Sequence, residues 1–181
     1  MKPTDVLVHE HEIILKVLEA AEREVTFIDE TGKLREQRIG QMMYFIRNFA
    51  DRCHHAKEEK RLFVFMHERG MSLDGGPIAV MLHDHEAGRE FVLGMVNGLE
   101  MARAGNAEAV KTVKDNLAGY IQLLRMHIHK ENNILFPMAA KMMTPEDEVR
   151  LIAEFEQVET EEMGAGVHEK YHRLAHELME Q

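Results

Sequence analysis

The sequence has few of the residues that mark secreted, membrane or nucleic-acid-binding proteins. It contains one cysteine and no tryptophan in 181 residues, so no disulfide can form within the chain and a reducing, cytoplasmic setting is expected. The sequence has no run of about 20 apolar residues, the length needed to cross a membrane. Charged residues interrupt the N-terminal segment before an apolar signal region could form. Basic residues number 22 against 32 acidic ones. Nucleic acids and anionic membranes, which bind clustered basic side chains, are therefore not expected partners.

Helix-forming residues are abundant instead, and apolar positions recur at helical spacing. This pattern predicts an all-α protein with four long helices and two shorter C-terminal helices that begin near Thr144. The short connections predict an antiparallel, up-down-up-down four-helix bundle. We expect a bundle at 1–143 and a helical extension at 144–181 that packs on it or forms a contact within a homo-oligomer. The long helices are predicted at 4–29, 35–69, 77–104 and 106–143.

An internal repeat relates the two halves of the chain. The segment LVHEHE at 7–12 aligns with MLHDHE at 81–86. The segment HHAKE at 54–58 aligns in the same way with HIHKE at 127–131. The chain is therefore predicted to consist of two similar helical hairpins, and each half should place the same polar side chains in the core.

The repeated segments place polar side chains on apolar helix faces. His11 and His85 lie on the apolar stripes of the first and third helices, and each even-numbered helix carries a histidine and a glutamate four residues apart on one face. We predict that these six side chains meet at one level of the core as metal ligands. They are His11, His54, Glu58, His85, His127 and Glu131.

Metal ions would satisfy this buried polar set. Carboxylates buried without partners would each cost several kcal/mol. Two cations remove that cost if both glutamates bridge them, with the histidines of the first two helices on one metal and those of the last two on the other. Mixed nitrogen and oxygen ligands suit iron, manganese or zinc better than calcium or magnesium.

Four other histidines accompany these residues in the repeated segments. His55 and His129 point away from the inferred core face of an α-helix and are interpreted as flanking residues. His9 and His83 are interpreted as surface or supporting residues, although their symmetry in the repeat leaves a ligand role open.

The C-terminal segment contains a formal match to a zinc protease motif. HEKYH at 168–172 has the form H-E-x-x-H. Such a match arises easily by chance in a helix rich in histidine and glutamate, and no strand is predicted to align a peptide substrate. His168, His172 and His176 form a row at four-residue spacing, so an accessory metal contact is the alternative. We expect this helix to cover the bundle or to contact another subunit.

The repeated segments also carry a family resemblance over roughly residues 4–142. The sequence resembles the hemerythrin-like, or HHE cation-binding, family. The resemblance implies a non-heme di-iron centre in a four-helix bundle, and a role in binding or sensing O2, NO or peroxide, or in handling iron. The residues that carry it are Glu10-His11, His54-His55-x-Lys57-Glu58-Glu59-x-x-Leu62-Phe63, His85 with Gly88-Arg89, and His127-Ile128-x-Lys130-Glu131-Asn132-x-x-Leu135-Phe136-Pro137.

One departure from the family bears on function. Oxygen-carrying hemerythrins have His-x-x-x-His in the third helix, whereas His83 and His85 here are two apart, or about 200° around an α-helix. A missing imidazole would open a coordination position, which favours access of a substrate or peroxide over reversible oxygen carriage. Three alternatives follow. The chain could be a di-iron binding or sensing protein, a di-iron enzyme that turns over peroxide or NO, or a metal-free helical interaction module. The first is favoured over the enzyme because no general acid or base is evident.

Overall fold

The computed structural model describes residues 1–164 and 168–180, apart from the side chains of Met163 and His168. Every regular element in these ranges is helical, which confirms the predicted all-α class. Four helices are uniform, whereas α2 (36–68) and α4 (109–142) change their helical geometry along their length. The uniform helices are α1 (Pro3–Thr31), α3 (Gly76–Arg103), α5 (Pro145–Met163) and α6 (His168–Glu180).

The helix ends follow local signals in the sequence. Gly32 ends α1 with φ 64°, a left-handed conformation that glycine adopts at little cost, and its N–H donates to the Ile28 carbonyl. Thr144 caps α5 by accepting a hydrogen bond from the Asp147 N–H at 3.3 Å, as expected for a helix that begins there. The predicted start of the fourth helix at 106 is early, because the Asn106 side chain accepts from the backbone of a turn that precedes α4.

Two of the long helices contain π-helical stretches. A π-helix has i→i+5 hydrogen bonds and a wider turn than an α-helix, and it is frequently found at functional sites. The stretches in α2 include the predicted ligands His54 and Glu58, and the stretch in α4 includes Glu131. The segments of α2 are Glu36–Phe45 (α), Ile46–His55 (π), Glu58–Leu62 (π) and Phe63–Glu68 (α), and those of α4 are Ala109–Lys130 (α), Glu131–Leu135 (π) and Phe136–Met142 (α).

The buried apolar residues form two clusters with a polar layer between them. In α1, Leu7 belongs to one cluster and Ile14 to the other, with His11 between them in sequence. The other long helices repeat this order, so every predicted ligand lies where its helix passes from one apolar cluster to the other. The flanking pairs are Ala50 and Leu62 in α2, Met81 and Val92 in α3, and Leu124 and Leu135 in α4.

Helices α3 and α4 approach closely along their contact. A Cβ atom added at Gly98 of α3 would lie 2.6 Å from Cγ2 of Val113 in α4 and 3.1 Å from its backbone nitrogen. Because a real Cβ does not tolerate the shorter distance, glycine at this position lets the two backbones pack together.

The two C-terminal helices pack against the long ones. Tyr171 of α6 lies against the rings of Phe45 and Phe49, and Arg38 donates to the Leu178 carbonyl at 2.8 Å. In α5, Asp147 accepts from Arg69 at 2.6 Å. None of the helices described here combines the length and apolar character needed to cross a lipid bilayer.

Candidate metal centre

The structure brings the six predicted ligands together in the polar layer. Each of them is at most 1% exposed. Two contribute carboxylates and four contribute imidazoles, and one histidine comes from each long helix. These residues, called the central cluster below, are His11, His54, Glu58, His85, His127 and Glu131.

Glu58 lies between two histidines from different helices. Its Oε1 is 3.5 Å from Nε2 of His54, one turn away in the same helix, and its Oε2 is 3.4 Å from Nε2 of His85. The two oxygens of this carboxylate therefore face one histidine from each of the two predicted metal-binding pairs.

Glu131 holds the corresponding position in the second half of the chain. Its Oε2 is 3.2 Å from Nε2 of His11 and 3.1 Å from Nε2 of His127. The Nε2 atoms of His85 and His127 are 3.2 Å apart. All four imidazoles thus direct Nε2 towards the two carboxylates.

The opposite nitrogen of each imidazole contacts an oxygen acceptor outside the central cluster. When Nδ1–H donates to that oxygen, the lone pair of Nε2 remains free for a metal, so the outer contact selects the tautomer needed for ligation. The outer contacts are His11 with Asn132 (2.8 Å), His54 with Glu10 (2.9 Å), His85 with Glu59 (2.7 Å) and His127 with Asp84 (3.3 Å).

These outer acceptors follow the internal repeat. Glu10 and Asp84 align in the repeat, and each also accepts from the lysine three residues after the histidine that it contacts, Lys57 and Lys130 respectively. Burial opposes the charge on Lys57, but Glu10 outweighs it and raises the pKa of the lysine. Helical spacing alone predicts no role for these residues, but their symmetry in the repeat is a signal that identifies them.

Burial and mutual contacts set the protonation of the cluster. Burial lowers the pKa values of His54 and His85 to about 3 and, with repulsion from Glu131, raises that of Glu58 well above its usual value. For Glu131 burial is outweighed by His127, which lowers the pKa of this carboxylate. Burial opposes protonation of His127, yet Glu131 and other acceptors raise its pKa to about 9. Without metal, these shifts favour the protonated forms of Glu58 and His127, whereas metal ligation needs the deprotonated forms.

The donor set fits a pair of metal ions. In the described part of the chain, buried side-chain atoms without a hydrogen-bond partner include Nε2 of His11 and His54 and both carboxylate oxygens of Glu58 and Glu131. Native proteins leave few buried polar atoms unsatisfied, and a concentration of them at one place indicates a missing ligand. Two groups of potential ligands share Glu58, each with donor atoms within 4.8 Å of one another: His11, His54, Glu58 and Glu131, and His55, Glu58, His85 and His127.

His55 differs from its sequence interpretation. It is only 5% exposed, and its ring stacks on that of His85 with centroids 3.8 Å apart. Its interpretation as a residue that points away from the core is wrong, because the π-helical turn from Ile46 to His55 changes the direction of its side chain relative to an α-helix. Burial lowers its pKa to about 3, so the ring is neutral.

Five further histidines lie away from the central cluster. His9, His83, His129 and His176 are exposed, and the ring of the half-buried His172 lies 5.8 Å from that of His9. None of these five belongs to a group of potential metal ligands in the described ranges. The side chain of His168 lies outside those ranges.

A cavity of about 260 Å³ adjoins the cluster on the side of His55 and His85. Arg89 lies at its edge and donates to Asp51 at 2.7 Å and to Glu59 at 2.8 Å. The rest of the wall is mainly apolar, so a small uncharged molecule could be accommodated next to two imidazoles. The apolar wall comprises Ile46, Val92, Leu93, Val96, Tyr120 and Leu124.

Comparisons with known proteins agree with this chemistry. Part of the chain is 38% identical over 96 residues to the iron-sulfur cluster repair protein YtfE of Musicola paradisiaca. The matched residues cover 50% of this chain and 42% of that protein. It is 35% identical over 91 residues to YtfE of Pectobacterium atrosepticum, or 48% of this chain and 41% of that one. The matched region thus spans less than half the length of these relatives.

Solved structures and protein families were compared as well. No solved structure gives a significant match. The sequence model of the hemerythrin HHE cation-binding domain matches residues 2–139, which include all six residues of the central cluster. The chain therefore belongs to the hemerythrin HHE cation-binding domain family.

Proposed function

We propose that this chain binds two iron ions in the central cluster and uses them to bind or sense a small molecule such as O2, NO or peroxide. The observation that carries the proposal is the position of Glu58 and Glu131, each of which lies between a histidine of one predicted pair and a histidine of the other. A carboxylate in such a place can bridge two metals.

The four long helices form an antiparallel bundle in this proposal. Ion pairs between α1 and α4 support it, because Glu22 pairs with Arg125 and the later residue Asp29 pairs with the earlier residue Lys114. As residue numbers increase along α1, the numbers of the ion-pair partners decrease along α4. This opposite order is what adjacent antiparallel helices produce.

The proposed organisation has a metal-binding unit at 1–143 and a helical extension at 144–181. The extension reaches towards the centre, since Glu159 of α5 accepts from the buried Lys57, which in turn donates to Glu10. This contact supports a role for the extension in closing one side of the metal-binding unit.

The proposed division of ligands assigns two imidazoles to each metal. His11 and His54 hold one iron, and His85 and His127 hold the other, with both glutamates shared. Nitrogen and carboxylate donors suit iron, and manganese or zinc are the other metals that this donor set accepts. Bound iron would supply Lewis-acid and redox chemistry towards small ligands.

Protein residues prepare this site for a small, uncharged ligand. The apolar cavity beside His85 offers room for a diatomic molecule, and its position supports access to the metal held by His85 and His127. Charged side chains also line the cavity, and two of them, Asp51 and Arg89, neutralise each other in an ion pair at 2.7 Å. Exclusion of water from such a site strengthens electrostatic contacts within it.

Iron handling is the second candidate, and the relatives favour it. Proteins similar to half of this chain are named for iron-sulfur cluster repair. Under this alternative the central cluster would give up its iron to an acceptor, and turnover of peroxide or NO would be a third use of the same site.

Metal analysis tests the proposal. Protein purified from iron-supplemented cells should contain close to two irons per chain, and Glu131→Ala should lose both because it removes a shared carboxylate. His176→Ala is the matched control, since this exposed histidine lies outside the cluster and its removal should leave the iron content unchanged. A wild-type protein that binds no iron, manganese or zinc would favour the metal-free module and would refute the proposal.

Spectroscopy then distinguishes the candidate functions. A ligand-binding protein should change its visible absorption once, with a fixed stoichiometry, when NO, O2 or peroxide is added. Continued consumption of peroxide or NO would identify an enzyme. Transfer of iron to an apo iron-sulfur protein, faster than to buffer with a chelator, would favour iron handling.

A further inference from the structure

The repeat breaks at His55, next to the central cluster. The repeat aligns His54 with His127, and Glu58 with Glu131. Between them, His55 aligns with Ile128. The first half of the chain therefore adds an imidazole beside the cluster where the second half has an aliphatic side chain.

The surroundings of His55 match those of His54. Its Nδ1 lies 3.4 Å from Oδ1 of Asp51, and Asp51 is held in place by Arg89, whose Nε donates to it at 2.9 Å. Its Nε2 is buried and has no hydrogen-bond partner among the described residues. An outer carboxylate on Nδ1 and an unsatisfied inner Nε2 form the same arrangement that prepares His54 for a metal.

We propose that His55 is a third imidazole ligand of the metal held by His85 and His127. The inference rests on the proposed function, since it needs a metal at the central cluster. A donor atom of His55 lies within 4.8 Å of donor atoms of Glu58, His85 and His127. Coordination would satisfy a buried nitrogen that otherwise lacks a partner, and it requires the His55 ring to rotate out of its stacked contact with His85.

The two metals would then differ in their number of imidazole ligands. One metal would have three imidazoles and the other would have two. The cavity is lined by both His55 and His85, so the metal with three imidazole ligands would be the one nearer the cavity.

Paramagnetic NMR of the wild-type protein loaded with Co²⁺ tests the proposal without any substitution. Each imidazole that coordinates through Nε2 keeps an exchangeable Nδ1–H close to the paramagnetic ion, so its resonance is strongly shifted. Selective ¹⁵N labelling of histidine identifies these signals. Five shifted N–H resonances are expected, one more than the central cluster supplies.

Four shifted resonances would overturn the assignment of His55 and leave the proposed function intact. A protein that binds no Co²⁺, iron, manganese or zinc would overturn both. The two failures are therefore distinguishable in the same sample.

Substitution of the same residue provides a second test. His55→Ile copies the residue that the repeat has at 128, and it should remove one shifted resonance and weaken one of two Co²⁺ sites at least about tenfold. His129→Ala is the control, because this exposed imidazole should leave both affinities and all five resonances unchanged. Two Co²⁺ affinities within twofold of wild type in folded His55→Ile would refute ligation.

Discussion

Replacing Glu58 by glutamine tests whether this buried carboxylate is needed for metal binding or for the stability of the fold. Glu58 is fully buried, its oxygens lack hydrogen-bond partners among the described residues, and burial raises its pKa, which favours the neutral carboxylic acid in metal-free protein. Glutamine has the same shape and is also neutral. The free energy of unfolding of the metal-free protein should therefore change by only about 1 kcal/mol or less.

The metal-bound protein should respond very differently. A ligand at 100 times its dissociation constant stabilises the folded state by about 2.7 kcal/mol, so two metals contribute about 5 kcal/mol. For a chain of this size, that raises Tm by about 10 to 20 °C. Because Glu58 belongs to both groups of potential ligands, Glu58→Gln should lose most of this increase.

Glu24 offers a matched control, since it is also fully buried but lies outside the central cluster. It pairs with Arg35 at 2.6 Å and with Arg38. Glu24→Gln leaves these charges without a carboxylate and should cost about 3 kcal/mol with or without metal. The increase in Tm on metal binding should remain as in the wild type.

Thermal unfolding followed by circular dichroism measures both quantities. Each variant is compared after chelator treatment and after anaerobic addition of Fe²⁺. The reasoning is refuted if Glu58→Gln keeps the full metal-dependent rise in Tm. It is equally refuted if metal-free Glu58→Gln loses as much stability as Glu24→Gln, because the carboxylate would then be part of the fold.

Three further predictions address protonation, the C-terminal extension and helix packing. Because the pKa of His127 is about 9 and a metal needs its neutral form, metal affinity should fall about tenfold per pH unit as pH decreases below 9; release of no protons on binding, measured by calorimetry in two buffers, would contradict this. Glu159→Gln should lower stability in urea by about 1 to 3 kcal/mol because the buried Lys57 loses a charged acceptor, whereas Glu162→Gln, whose lysine partner is exposed, should change it by less than about 1 kcal/mol. Gly98→Ala should cost about 1 to 3 kcal/mol because its Cβ would overlap the facing valine; unchanged unfolding in urea would show that α3 and α4 are not so close.

The helices were predictable because their signals are local. Apolar spacing and turn residues such as Gly32 act within a few residues, and the predicted bounds of the first three long helices agree with the structure to within two residues. The start of α4 was misplaced because Asn106 accepts a hydrogen bond in the preceding turn, and an asparagine in a turn has the same sequence signal as one at a helix start.

The positions of the central cluster were also predictable, for a different reason. Helical spacing places a histidine and a glutamate four residues apart on one face, and the repeat supplies the same pair twice. The structure brings the six residues together, while their binding of metal remains a prediction. The outer contacts were harder to predict, because Glu10 lies next to His11 in the sequence yet contacts His54 of another helix, which only the packing of helices determines.

His55 shows where helical periodicity fails. A rotation of about 100° per residue turns the neighbour of an inward-facing His54 away from the core. The π-helical turn from Ile46 to His55 has fewer degrees of rotation per residue, so two consecutive histidines can both be buried. The backbone departs from α-helical geometry in the same turns that carry His54, Glu58 and Glu131. An α-helical pattern is therefore a poor guide to side-chain direction beside the predicted metal ligands. The sequence neighbours of each predicted ligand must be considered candidate ligands until the backbone geometry is known.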